Sequence, residues 1–342
     1  MPVALSLEGE NKFTVGLVYL DKNTGWQGEI YGYAAVIESQ FGADSITDKS
    51  SQWTFIPGFF VAKAYDNYAV GFGFYVPYAG GGAEYEHFQG SPYDLSVFAG
   101  WGCFTFSAAY KLRPYLAVGA GLSIYGGLLE MESFNPSLFA VTKSDYSGLS
   151  GYGGHVGLMY KPTDTIGIGF VARSSIQVNM DGTVEAANVK QDSKVSFTMP
   201  SSYTVGLGYQ PNKNFTVGLA FWYRLYSDTS EMIFKTAGVE SSMKTYFKDS
   251  WLVGIGAEYI INNKFTVRGG LKYDQGSTKK EGLNPAFNDI DFLLPSIGIA
   301  YNITKSMELN VDWNAAFGVQ ERYESKNYDK FLSGIYAGIR FK

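Results

Sequence analysis

Residues 201–226, SSYTVGLGYQPNKNFTVGLAFWYRLY, place two alternating apolar runs on either side of a polar turn. In extended chain, successive side chains point to opposite faces. Tyr203, Val205, Leu207 and Tyr209 therefore share one face, opposite Thr204, Gly206 and Gly208. After the turn, Phe215, Val217, Leu219, Phe221, Tyr223 and Leu225 fall together, opposite Thr216, Gly218, Ala220, Trp222, Arg224 and Tyr226. A soluble sheet would put charge on its wet face, whereas this second face is small or polar and nearly uncharged. A hairpin with hydrocarbon outside and a small-residue, polar interior accounts for both faces.

The whole composition has the same character. Of 342 residues, 41 are Gly, 26 Tyr and 25 Phe, and charged residues make up 17%, below the roughly 25% of average soluble chains. No stretch is long and apolar enough for a transmembrane helix. The single cysteine, Cys103, excludes an internal disulfide, and His87 and His155 lie too far apart in sequence to suggest a metal site. A net charge of -5 argues against a nucleic-acid partner, and nothing in the chain calls for a cofactor. The opening MPVALSLEGEN lacks the basic, then apolar, layout of a secretory signal. Residues 1–11 are read as a short N-terminal segment and 12–342 as one barrel.

Turn-forming residues cut the chain into about fourteen alternating runs: 12–20, 51–65, 68–78, 98–111, 115–130, 146–160, 165–182, 194–210, 214–235, 245–261, 264–276, 291–303, 305–322 and 329–342. Short turns at 66–67, 112–114, 161–165, 210–214, 262–263 and 302–305 alternate with longer connections at about 21–50, 79–97, 131–144, 184–192, 237–243, 278–289 and 323–328. Tight turns at one end and long loops at the other predict an all-β, transmembrane antiparallel barrel of about 14 strands, with periplasmic turns and extracellular loops. A hairpin motif recurs as NKFTVGL at 11–17, NKNFTVGL at 212–219 and NNKFTVRGGL at 262–271. At the strand ends that enter the six short turns stand Tyr65, Tyr110, Tyr160, Tyr209, Tyr259 and Tyr301, each in phase with its strand's large apolar face. Six tyrosines at one level predict an aromatic girdle at the membrane boundary.

The mid-strand charges Arg173, Glu258, Arg268, Lys272, Asp312 and Arg340 fall on the opposite, inward phase, as expected when an outward Arg or Lys at the midplane costs about 2–4 kcal/mol. Lys63 is the exception and is expected to snorkel at an interface.

Several segments carry a family likeness: PGFFVAKAYDNYAVGFGFYVPY (57–78), LRPYLAVGAGLSIYGG (112–127), MPSSYTVGLGY (199–209), DSWLVGIGAEY with FTVRGGLKYD (249–274), and LLPSIGIAYNITKSMELNVDW (293–313). From about residue 50 onward the chain resembles the FadL/TodX family of bacterial outer-membrane transporters for long-chain fatty acids and other hydrophobic compounds. The resemblance implies a fourteen-stranded barrel in the outer membrane of a Gram-negative bacterium, and a ligand that is a fatty acid, alkane or aromatic hydrocarbon. It further implies contacts with outer-membrane lipid and lipopolysaccharide; a monomer is expected. Family members carry an N-terminal hatch with an Asn-Pro-Ala motif; here Asn284-Pro285-Ala286 lies in a late loop instead.

Three site expectations follow. In MESFNPSLFAVTKS (131–144), Phe134, Leu138, Phe139 and Val141 place four large apolar groups in an extracellular connection. Solvated loops seldom do so, and the resemblance implies a capture groove; the alternative is a small loop core on the barrel rim. Gly71, Gly73 and Pro77 in the third run weaken its ladder, and the resemblance implies a kink opening the wall sideways; the alternative is ordinary barrel packing. Inward-phase Tyr125 and Trp222 could line a lumenal pocket, with Arg224 or Arg268 meeting a carboxylate; the alternative is that the aromatics fill the barrel and the charges form a lumen network. No nucleophile motif accompanies His155, so no enzyme is expected. Passive uptake of hydrophobic molecules through a lateral exit is the leading function, and a general porin for small polar solutes is the alternative.

Overall fold

The computed structural model describes residues 26–43, 46–285, 288–319, 321–323 and 326–341. Its elements are β1 (Gln27–Ala43), β2 (Ile46–Ala64), β3 (Tyr68–Tyr85), β4 (Leu95–Arg113), β5 (Leu116–Asn135), β6 (Ala140–Tyr160), β7 (Ile166–Arg173), β8 (Ile176–Ala186), β9 (Val189–Met199), β10 (Ser202–Asn212), β11 (Phe215–Arg224), β12 (Glu231–Thr236), β13 (Val239–Lys244), β14 (Ser250–Ile260), β15 (Phe265–Asp274), β16 (Phe292–Asn302), β17 (Met307–Gly318), β18 (Glu321–Tyr323) and β19 (Lys326–Phe341). Antiparallel pairing runs β1–β2–β3–β4–β5–β6–β7–β10–β11–β14–β15–β16–β17–β19, and β19 pairs back onto β1 to close the sheet. The wall is therefore a closed, fourteen-stranded barrel, in which each wall strand has a partner on both sides.

One row across the wall displays the logic of the opening hairpin. Leu207 pairs with Leu219, Leu219 with Ile255, and Ile255 with Leu271, and all four side chains are exposed on the outside. The row beside it is Gly208, Gly218, Gly256 and Gly270, which leaves room inside. At the periplasmic rim the predicted girdle is present: Tyr65 stacks on Tyr68 at 4.4 Å, Tyr115 meets Tyr160 edge-on at 6.2 Å, and Phe265 lies 5.1 Å from Tyr301. Lys63 reaches this level and sets its ammonium 5.4 Å from the Tyr65 ring, a cation–π contact at the interface. The repeated hairpin motif has a local cause. Asn212 accepts hydrogen bonds from the backbone N–H groups of Asn214 and Phe215, and Asn262 accepts them from Lys264 and Phe265, so one asparagine turns each chain reversal.

The structure alters several expected boundaries. Residues 21–50 contain β1 and the start of β2 and are not a long connection. The expected strand at 12–20 and the segment 1–11 lie outside the described residues. The 131–144 connection shrinks to four residues between Asn135 and Ala140. The connections at 184–192 and 237–243 shrink to two-residue turns, Ala187-Asn188 and Ala237-Gly238, in left-handed backbone, the geometry that matches strand twist. In each case the strands run on above the membrane, where the outer face meets water and no longer has to be apolar. β7 and β8 form one broken strand, as do β9 with β10, β11 with β12, and β13 with β14. The upper pieces β8, β9, β12 and β13 pair successively beside β6 to form an extracellular sheet.

Candidate functional site

The lumen divides into two chemical halves. Toward the outside, inward-facing Phe41, Tyr85, Val97, Trp101, Cys103, Tyr125, Leu129 and Tyr146 join Ile176, Val178, Met180, Val195, Phe197, Met199 and Met232 of the extracellular sheet in one buried apolar cluster. Leu283 and Ile290, from the β15–β16 connection, complete it, and Tyr328 fixes that connection by donating its hydroxyl to the Leu283 carbonyl at 3.1 Å.

On the other half, an ionic ladder crosses the wall where β19 closes onto β1. Arg268 donates to Glu258 at 2.8 Å and to Asn310 at 2.5 Å, and lies 3.6 Å from Glu308. Glu308 also accepts from Arg340 at 2.9 Å; Arg340 reaches Glu29 at 3.2 Å, and the Tyr336 hydroxyl donates to Glu29. Three carboxylates and two guanidiniums thus alternate along β14, β15, β17, β19 and β1. Charged hydrogen bonds of this kind are the strong ones, and in a low-dielectric site they are also the costly ones to break.

Between these halves the wall is interrupted at β2 and β3. The β2–β3 ladder runs from Ala64↔Ala69 to Phe59↔Phe74, and among the described residues it goes no further. β3 slips register against β4 between Tyr75 and Tyr78 and again between Ala79 and Gly81. Pro77 stands inside the first slip, where its missing N–H removes a ladder bond. Higher up the strands rejoin: Glu84 donates its backbone N–H to the Ser50 hydroxyl at 2.8 Å. Over the break lies an apolar cleft of about 460 Å³. Outward-phase Phe55, Phe74, Val76, Gly100, Gly102, Phe104, Ile124, Gly126 and Leu128 line it together with inward-phase Thr54, Ile56, Ala99 and Gly127. The floor is glycine, so the backbone itself forms the bottom of the trough.

Each sequence candidate has a definite place. Gly71 and Gly73 pair regularly with Ala62 and Phe60 below the break, whereas Pro77 lies in it. Phe134 stacks on Tyr93 at 3.9 Å and pairs across the hairpin with Val141, leaving Leu138 and Phe139 exposed at the tip. Tyr125 is in the apolar cluster. Arg224 pairs with Asp274 and lies over the Trp222 ring at 5.0 Å and the Tyr226 ring at 5.8 Å. Arg224 and Arg268 thus both hold carboxylates of the protein. His155 accepts or donates a 2.9 Å bond with Ser107. Trp101, Phe197, Leu283 and Ile290 were not among the sequence candidates. Trp101 is legible as the large residue out of phase with Phe104, Phe106 and Tyr110, while the loop pair carries no periodic mark.

A barrel divided in this way, with a break between β2 and β3, can be compared with known proteins. The model of the family described as "Outer membrane protein transport protein (OMPP1/FadL/TodX)" matches residues 2–341. The chain belongs to this family. Its FadL/TodX relatives are transport channels and not enzymes, and the protein is an outer-membrane β-barrel. Outer membrane protein P1 of Haemophilus influenzae is 26% identical over 366 residues, covering 91% of this chain and 78% of the relative. The 47 kDa outer membrane protein of Pasteurella multocida is 22% identical, covering 95% and 82%. Among solved structures, a Pseudomonas aeruginosa FadL homologue superposes with a TM-score of 0.80 at 15% identity, covering 96% and 91%. The Pseudomonas putida toluene transporter TodX gives 0.74 at 20% identity, covering 96% and 91%. At these identities the superpositions bear on the fold alone.

Proposed function

We propose that this FadL/TodX barrel takes up long-chain fatty acids or comparable hydrophobic molecules passively, and that they leave sideways through the break between β2 and β3. The observation that carries this reading is the cleft, lined by residues of both phases at the level where the apolar half of the lumen ends. A hydrophobic molecule in the upper lumen has two routes onward. The downward route passes buried Glu308, Asn310 and Arg268, where it would give up apolar surroundings for fixed charge. The sideways route keeps it in apolar surroundings throughout, at about 25 cal/mol for each Å² kept from water. Leu138 and Phe139, exposed at the β5–β6 tip, supply a first contact for such a molecule, with Phe134 and Val141 behind them. The outer-membrane lipid and lipopolysaccharide around the barrel are the solvent for the exit, and one barrel suffices for the path.

Replacing Leu138 and Phe139 together by serine is expected to lower uptake of labelled dodecanoate several-fold at limiting concentration, with the barrel still folded. In planar bilayers the wild-type protein is expected to show little steady ion conductance while binding the ligand saturably. A large steady conductance without saturable binding would identify a general porin and overturn the reading.

A further inference from the structure

We propose that Trp101 selects ligands that carry one hydrogen-bond acceptor on an otherwise apolar body, by offering its indole N–H at the junction of the upper lumen and the wall cleft. The inference rests on the uptake reading above and names the ligand chemistry that reading leaves open. Trp101 is 7% exposed, and its Nε1 has no acceptor among the described residues. The indole nitrogen is a donor only, and a buried donor without a partner carries an uncompensated desolvation penalty. Phenylalanine would occupy the same apolar position without that penalty, so packing alone gives no reason for tryptophan here.

The surroundings fix where the N–H sits. Trp101 pairs across β4–β5 with Gly127, and a Cβ on that glycine would lie 2.1 Å from the indole Cδ1 and 2.3 Å from Nε1. The indole therefore lies flat across Gly127, which lines the cleft. On the other side of β4, Trp101 is in register with Tyr78, immediately after the slip that contains Pro77. Phe197 of the extracellular sheet meets the ring edge-on at 5.5 Å and anchors it from above. An alkyl or aryl body lying in the apolar cluster brings an end-group oxygen to this N–H as it turns toward the wall. An alcohol, ester or acid satisfies the donor; a plain hydrocarbon buries it unpaired.

The test measures binding of tritiated 1-dodecanol and dodecane to the purified protein in amphipol, each referred to its own partition into amphipol alone. The wild-type protein is expected to bind the alcohol about tenfold more tightly than the alkane, the scale of one buried hydrogen bond. Trp101→Phe is expected to weaken dodecanol about five- to tenfold and leave dodecane unchanged, which removes the preference. Equal weakening of both ligands, or of neither, would overturn the proposal. Where the variant does not fold, the wild-type pair decides, since equal wild-type affinities also overturn it. A wild-type protein that binds neither ligand would fail the uptake reading itself, a result distinct from binding both equally.

Discussion

Glu308→Ala is expected to destabilise the barrel by about 3–5 kcal/mol, the scale for removing one partner of a buried ion pair. Glu308 is 5% exposed and stands between two guanidiniums, 2.9 Å from Arg340 and 3.6 Å from Arg268. Arg340 keeps Glu29 and Arg268 keeps Glu258, so the loss should lie toward the lower end of that range. The position matters because β17, β19 and β1 form the seam where β19 closes the barrel onto β1. An exposed pair makes the control: Lys194 and Asp181 are 2.6 Å apart, but their side chains are 68% and 80% exposed. Asp181→Ala should therefore leave the stability close to that of the wild type. The check is the urea midpoint of unfolding in detergent micelles, read by loss of the compact gel mobility of the unheated barrel. Equal midpoints for the two variants would mean that the ladder does not hold the seam.

The second large effect concerns the exit. Gly100 lines the cleft, and a Cβ built on it meets nothing within 4 Å. Gly100→Phe should therefore fill the trough without displacing backbone, in contrast to Gly102, where a Cβ would come within 2.8 Å of the Phe74 ring. Plugging the cleft is expected to reduce dodecanoate uptake by cells at least tenfold, about 1.4 kcal/mol or more on the exit barrier, with ligand binding to the purified protein retained. Uptake and binding lost together would place the phenylalanine's effect on folding or capture. Uptake retained in full would send the cargo by another route.

The wall of this barrel was legible because the membrane imposes a period of two on every strand it touches. The row Leu207, Leu219, Ile255, Leu271 and the girdle tyrosines read directly from phase. β1 escaped for the same physical reason in reverse. Its lumen face carries Glu29, Tyr31, Tyr33 and Ala35, and its lipid face Ile30, Gly32, Ala34 and Val36. With tyrosines inside and glycine and alanine outside, the contrast between faces fades. Residues 184–192, where β8 turns into β9, and 237–243, most of β13, looked like loops because water bathes their outer face.

The site was less legible because it is made of non-local facts. Pro77 marked a weak point in β3, yet the length of the break depends on where β2 resumes contact, at Ser50. Arg224 and Arg268 read as available cations because their carboxylate partners, Asp274 and the pair Glu258 and Glu308, lie on other strands. Leu283 and Ile290 enter the lumen from a connection of no regular pattern.

Photolabelling maps the path taken by the cargo directly. Cells carrying the wild-type protein are given a dodecanoate with a terminal diazirine, irradiated during uptake, and the adducts located by mass spectrometry. Adducts at Ile56, Phe74, Val76 and Trp101 are the expected result, following the cargo from upper lumen to cleft. Adducts confined to the lower lumen, at Arg268, Glu308 and Asn310, would contradict the lateral exit and route the cargo through the barrel floor.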